Sequence, residues 1–296
     1  MKNFSCYTSR TDHVLSKQLQ LLWRTAMVVL AVFLFVVSDS YSQTFNTIDQ
    51  SSNGKFTANA PTGTPQWQNG NIGGQNSHFL ETYSIPYRVR IEGLAPNTQY
   101  TYLIGFDIRE GGKMALDFLT HYQRLEPHAQ FGHTAESIDP LLGLSPTFMS
   151  AINNGTITAQ GPKYFDVPVP NGIDINGSVQ PTAFAALQDR RMTIYGGTIE
   201  AIGYDTQGSL TVKTSETVVY VTFKTGSGTN VVLAWGANIA GEQYWGDNMT
   251  ASDINGSPYH MRHKGYKIGP YDAPLSSGVY TSIGSTDRSL KTDAVI

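Results

Sequence analysis

The stretch that most constrains the fold is 216–240, ETVVYVTFKTGSGTNVVLAWGANIA. Val219, Val221 and Phe223 alternate with Val218, Tyr220 and Thr222, and beyond a Gly/Ser turn Val231, Leu233 and Trp235 alternate with Val232 and Ala234. A period of two, carried by β-branched and aromatic residues, is the signature of strands. We read the stretch as a long hairpin, apolar on both faces, in the middle of a sheet packed on another layer. Residues 83–94 (YSIPYRVRIEGL) and 100–108 (YTYLIGFDI), joined by APNTQ, read as a second hairpin.

The fold class expected is therefore all-β: a single large β-sandwich of jelly-roll or immunoglobulin-like type. It carries long irregular loops and one or two short helices, over 146–151 and 181–188. Shorter strands are expected near Trp67 and over 164–169, 192–204, 209–212 and 266–268. Charged residues make up only 15% of the chain, which suits a turn-rich extracellular β protein better than a helical enzyme. A net charge of -3 without a Lys/Arg cluster argues against nucleic-acid partners.

The N-terminus carries a compartment signal. Lys2, Arg10, Lys17 and Arg24 precede the apolar run AMVVLAVFLFVV at 26–37, and the small-residue stretch SDSYSQ follows. That is the order of a secretory signal peptide, with cleavage expected before Gln43. Arg24 keeps the apolar run short of a membrane span, so no stable span is expected after cleavage. Localisation is accordingly expected outside the cytoplasm, secreted or at the cell surface. The single cysteine, Cys6, falls in the leader, so the mature fold rests on its core without disulfides. The expected division is 1–42 signal peptide, 43–77 loosely ordered lead-in, 78–275 sandwich and 276–296 polar tail.

Three chemistries can be assembled from the remaining residues. His121, His128 and His133 offer imidazoles, with His260 and His263 arriving from later in the chain and Asp107, Glu110 or Asp117 completing a transition-metal site. No tight ligand spacing supports it, and structural histidines are the default. Asp174, Asn176, Asp253 and Asn255 sit in two DINGS turns with hard oxygen donors, a candidate for structural calcium that lacks an EF-hand continuation. Asp107, Glu110, Asp117 and Glu136 supply carboxyls for glycoside hydrolysis, and Trp67, Tyr244, Trp245 and Tyr259 supply rings for sugar stacking; such rings more often belong to the core.

The phrases IPYRVRIEGLAPNTQYTYLIGFDI, GGKMALDFLTHYQR, VVLAWGANIA, NGSPYHMR and STDRSLKTDAVI together resemble the N-terminal module of a little-characterised family. Its members are secreted bacterial surface proteins of Bacteroidetes and some actinobacteria, often placed ahead of adhesin-like repeats. The resemblance covers nearly all of the mature chain. It implies an adhesive or structural surface module and carries no catalytic role. The matching positions are Asp117, Leu119, Thr120, Tyr122 and Arg124, then Trp235, then Pro258, Tyr259, His260 and Arg262. Two readings of them stand: a buried polar network tying irregular backbone to the sheet, or a ligand groove at one end of the sandwich. The ligand-binding candidates on the second reading are Asp117, Tyr122, Arg124, Trp235, Tyr259, His260 and Arg262. The partners expected are an extracellular glycan or a matrix or surface protein. The alternative function is a carbohydrate-binding module or carbohydrate-active hydrolase.

Overall fold

The computed structural model describes residues 41–56, 64–125, 136–152, 162–170, 189–257, 259–284 and 287–295. The expected signal peptide and the helix at 181–188 lie outside the described residues. Two antiparallel sheets pack face to face as a β-sandwich with few short helices.

The first sheet holds eight strands among the described residues. These are β1 (Thr44–Phe45), β2 (Asp49–Ser52), β3 (Gln66–Gln68), β4 (Ser84–Glu92), β7 (Leu116–Thr120), β8 (Lys163–Asp166), β9 (Arg191–Tyr195) and β12 (Val231–Ile239). They run in the order β3-β2-β4-β12-β9-β8, with β1 on β4 and β7 on β12. The second sheet holds six: β5 (Gln99–Glu110), β6 (Lys113–Met114), β10 (Gly197–Thr206), β11 (Ser215–Thr225), β13 (Tyr259–Ile268) and β14 (Asp287–Leu290). Their order is β10-β11-β5-β13-β14, with β6 on β5. Helix α1 (Pro146–Ile152) covers the outer face of the first sheet through Phe148 and Ile152, and α2 (Glu242–Trp245) follows β12.

The two expected hairpins are a correction. The strands form where the alternation put them, but β4 and β5 lie in different sheets, and so do β11 and β12. Each connection is an arch over the sandwich rim, and the arches stack: Leu94 N–H donates to the Thr229 carbonyl at 2.9 Å and Asn97 N–H to Gly226 at 2.8 Å. The Thr225 hydroxyl joins the same rim by donating to the Ala95 carbonyl at 2.7 Å. The reason is in the faces. A two-residue loop sets partners edge to edge, whereas these longer loops let Val219, Val221 and Phe223 bury against Leu233 and Trp235 across the layer.

The inner faces are aliphatic and aromatic: Tyr100, Tyr102, Ile104 and Phe106 from β5 meet Ile85, Tyr87, Val89 and Ile91 from β4. Trp235 is fully buried at the centre, its ring 6.2 Å from that of Tyr87. The expected lead-in and tail join the sandwich. Ile48, Ile72, Leu290 and Ala294 are buried, and Phe79 N–H donates to the Ala294 carbonyl at 2.7 Å. Residues 209–212 form no strand, and the expected short strand at 266–268 is the end of the ten-residue β13.

Part of the second sheet's outer face is roofed by the chain after β13. Tyr271 stacks on Tyr220 with centroids 3.8 Å apart, and its hydroxyl donates to Asp205 at 3.1 Å. Beneath, the Tyr220 ring lies over Gly203 on β10, where a Cβ would sit 2.4 Å from the tyrosine oxygen. Gly203→Val is expected to lower folding stability by about 1–2 kcal/mol through overpacking. Urea unfolding reads this directly, and an unchanged midpoint would contradict the stacked arrangement.

Candidate functional site

The residues nominated as ligand-binding candidates separate into two places with different character. The first lies inside. Asp117 on β7 is 4% exposed. Its carboxylate accepts from the Asn238 amide of β12 at 2.8 Å and from the Trp245 indole N–H of α2 at 3.0 Å. Arg124 donates to the Asn238 side-chain oxygen at 3.3 Å and to the Thr82 carbonyl, with its guanidinium 5.2 Å above the Tyr83 ring. Burial pushes the Asp117 carboxyl up to about 7, against the hydrogen bonds of Trp245 and Asn238 and the charge of Arg124. Tyr122 is buried with Ile138 and Ala234, its ring 4.1 Å from that of His121. Trp235 and Tyr259 are both fully buried. Asp117, Arg124 and Asn238 thus form the polar network that tethers irregular backbone to the sheet, and Trp245, nominated as a sugar-stacking ring, is one of its donors.

The second place is a groove of about 730 Å³ on the outer face of the six-stranded sheet, at the end away from the arches. Alternation on β13 turns His260, Arg262 and Lys264 outward while Tyr259 and Met261 point into the core. On β5 the same alternation brings out Gly105 and Asp107, and on β11 it brings out Glu216. Arg262 grips Asp107 through two nitrogens, at 2.5 and 3.1 Å. The first of those nitrogens also lies 3.3 Å from Glu216, and the Arg262 Nε lies 3.4 Å from Asp287. Lys264 donates to the other Glu216 oxygen at 2.7 Å. Such a fork-shaped pair is among the stronger charge-assisted contacts. Gly105 makes the crossing sterically possible, since a Cβ there would lie 2.5 Å from Glu216 Oε1 and 2.8 Å from Lys264 Cδ. Glu110, Thr214, Ser215, Asn255 and Ser257 complete the wall.

Electrostatics follow from this geometry. Burial raises the Asp107 carboxyl, Arg262 opposes the rise, and Glu216 adds to it. Burial alone would lower the Arg262 guanidinium, yet the hydrogen bonds and charge of Asp107, with Asp287 and Glu216, push it further up. His260 sits between the Asp287 carboxylate on Nδ1 at 2.7 Å and the Ser257 carbonyl on Nε2 at 2.5 Å.

The described histidines weighed for a metal site stand in separate places. His121 lies with Asp189 on the eight-stranded sheet's outer side, 3.8 Å from its carboxylate, while His260 is in the groove of the other sheet. His263 is buried between the sheets, where its Nε2 donates to the Asn46 carbonyl at 3.0 Å and its Nδ1 accepts from the Tyr102 hydroxyl at 2.5 Å. His128 and His133 lie outside the described residues. Among the described residues no group of His, Cys, Asp or Glu is arranged to hold a metal ion. For calcium, Asp253 is committed to capping a turn at Thr250 and Asn255 stands at the groove wall, whereas Asp174 and Asn176 lie outside the described residues.

Of the carboxyls considered for hydrolysis, Asp107 and Glu110 share the groove, whereas Asp117 is in the buried network and Glu136 lies 3.9 Å from His78. Sequence reasoning missed Glu216, Lys264 and Asp287. The signal available was the outward phase of β11 and β13 for Glu216 and Lys264, whereas Asp287 joins them only through the pairing of β14 with β13 opposite Arg262. Compared with protein-family models, curated proteins and solved structures, the chain matches none.

Proposed function

We propose that the chain is a secreted or cell-surface bacterial β-sandwich module of adhesive type, without catalysis, that recognises its partner through the groove around Arg262. The observation that carries this reading is the groove itself, an open polar concavity built on rigid strands and walled by interlocked charges. The composition, the N-terminal pattern and the resemblance to surface modules support the compartment. The repeated crossing of the chain from one sheet to the other supports jelly-roll winding over an immunoglobulin-like arrangement.

Hydrolysis fits less well. Asp107, one of the two nominated carboxyls in the groove, has both oxygens held by Arg262, so it is tied into an ion pair instead of facing a water or a glycosidic oxygen. Sugar stacking fits less well too. Trp245 and Tyr259 are fully buried, and the Trp67 indole is spent on the Asp139 carbonyl at 2.8 Å beneath Arg88.

The test is a binding screen of the purified protein against glycans and matrix proteins, followed by His260→Ala. The expected result is a specific partner whose affinity falls about tenfold, roughly 1.4 kcal/mol, in His260→Ala with little change in melting temperature. A partner bound equally by that variant would remove the groove from recognition.

A further inference from the structure

We infer that Asn255 is a site of spontaneous covalent modification, at which water converts the side-chain amide to a carboxylate on the groove wall. The inference stands on the chemistry of an Asn-Gly pair and holds whatever the groove binds. The reaction joins two neighbours in the chain. The backbone nitrogen of Gly256 attacks the Asn255 side-chain carbonyl carbon, and the new N–Cγ bond closes a five-membered succinimide. The Cγ–Nδ2 bond breaks, and the leaving nitrogen takes up the Gly256 amide proton and departs as ammonia. Water then opens the ring. Hydrolysis at the side-chain carbonyl leaves an aspartyl residue, and hydrolysis at the main-chain carbonyl leaves an isoaspartyl link. A following glycine favours the attack because it has no Cβ to keep the reacting backbone at a distance.

The fold decides which Asn-Gly pair reacts, since the amide and the glycine nitrogen must both be free to turn toward each other. Three such pairs fall within the described residues, at 53–54, 69–70 and 255–256. Asn53 is buried, its Nδ2 donates to the His78 carbonyl at 2.5 Å and its Oδ1 accepts from the His78 N–H at 2.9 Å. The Gly54 N–H donates to the Asn76 carbonyl at 3.0 Å, so the nucleophile is held as well. Asn69 is exposed, but its Oδ1 accepts from the Thr47 hydroxyl at 2.9 Å and from Arg288. Asn255 is exposed, and neither its side chain nor the Gly256 N–H makes a hydrogen bond among the described residues. Gly256 stands at φ 98° with open space where a Cβ would be, so no neighbour hinders closure of the ring.

The position gives the change a consequence. Asn255 shares the groove with Asp107, Glu110 and Glu216, and a carboxylate at 255 adds a like charge to that wall. The isoaspartyl form also inserts a main-chain methylene between Ile254 and Gly256, whose carbonyls both accept from Thr292. The groove wall therefore carries a slow, one-way change of charge and chain length that needs only water.

The experiment is incubation of the purified protein in mildly alkaline buffer, once folded and once unfolded in urea, with peptide mapping by mass spectrometry at intervals. Alkali deprotonates more of the attacking amide and speeds the reaction in both arms. In the folded protein Asn255 is expected to convert about ten times faster than Asn69, which must first release its two contacts. Asn53 is expected to be slower still. In urea the three rates should converge, because a glycine follows each asparagine and only the fold tells them apart. An intact Asn255 in the folded protein, or Asn69 converting as fast as Asn255, overturns the inference. So does a spread of rates in urea as wide as in the folded protein, since the selectivity would then belong to local sequence.

Discussion

Asp117→Ala is expected to destabilise the protein by about 3–5 kcal/mol, among the largest effects of any single polar substitution in the chain. The carboxylate is the shared acceptor of the Trp245 indole and the Asn238 amide. Its removal takes an acceptor from two buried N–H groups, at about 1–3 kcal/mol each, and takes a compensating charge from Arg124, which also holds the Thr82 carbonyl and Tyr83. Urea unfolding followed by tryptophan fluorescence measures the loss, with Trp245 itself reporting. A cost under about 1 kcal/mol would show that the network does not hold β7, β12 and α2 together.

Opposed pH dependences are the second large effect. Asp117 has its folded pKa raised to about 7, so the folded state binds its proton more tightly than the unfolded chain does. Its contribution is present at pH 4 and is lost as pH rises through 7, amounting to about 4 kcal/mol. Burial lowers His263 to about 4, and the Arg288 charge adds to that against the Asn46 hydrogen bond. Its contribution is present above its ordinary value and is lost as pH falls toward 4, amounting to about 3 kcal/mol. The two nearly cancel, so the parent protein should vary little in stability over this window. Asp117→Asn should become more stable as pH rises from 4 to 7, and His263→Gln should become less stable. Asp107, also raised by burial, adds to the slope of the second variant. Parallel slopes in the two variants would contradict the assignment.

How far the sequence was legible depends on what each residue's neighbours are. The strands at 84–92, 99–110, 215–225 and 231–239 were visible because alternation is local. Their partners were not, because hairpin and arch share one alternating pattern and differ only in which face meets which layer. The lead-in looked loose because Asp49, Gln50 and Ser51 are polar. They are buried by pairing: Arg88 holds Asp49 at 3.0 Å, and Gln50 donates to the Ser289 carbonyl at 2.8 Å across the sandwich. Sequence separation hides such bonds. In the groove, His260 and Arg262 stood out as part of a recognisable phrase. Glu216, Lys264 and Asp287 did not, since their meaning arises only when β11, β13 and β14 are brought alongside one another or β5.

On the function proposed above, labour is divided, with the Asp117 network serving the fold and the Arg262 groove serving recognition. Amide hydrogen exchange of the protein with and without the partner found in the screen tests this most directly. Slowed exchange confined to 105–110, 214–216 and 255–264 is the predicted footprint. Protection centred instead on 117–125 and 235–238, with the groove unchanged, would contradict it.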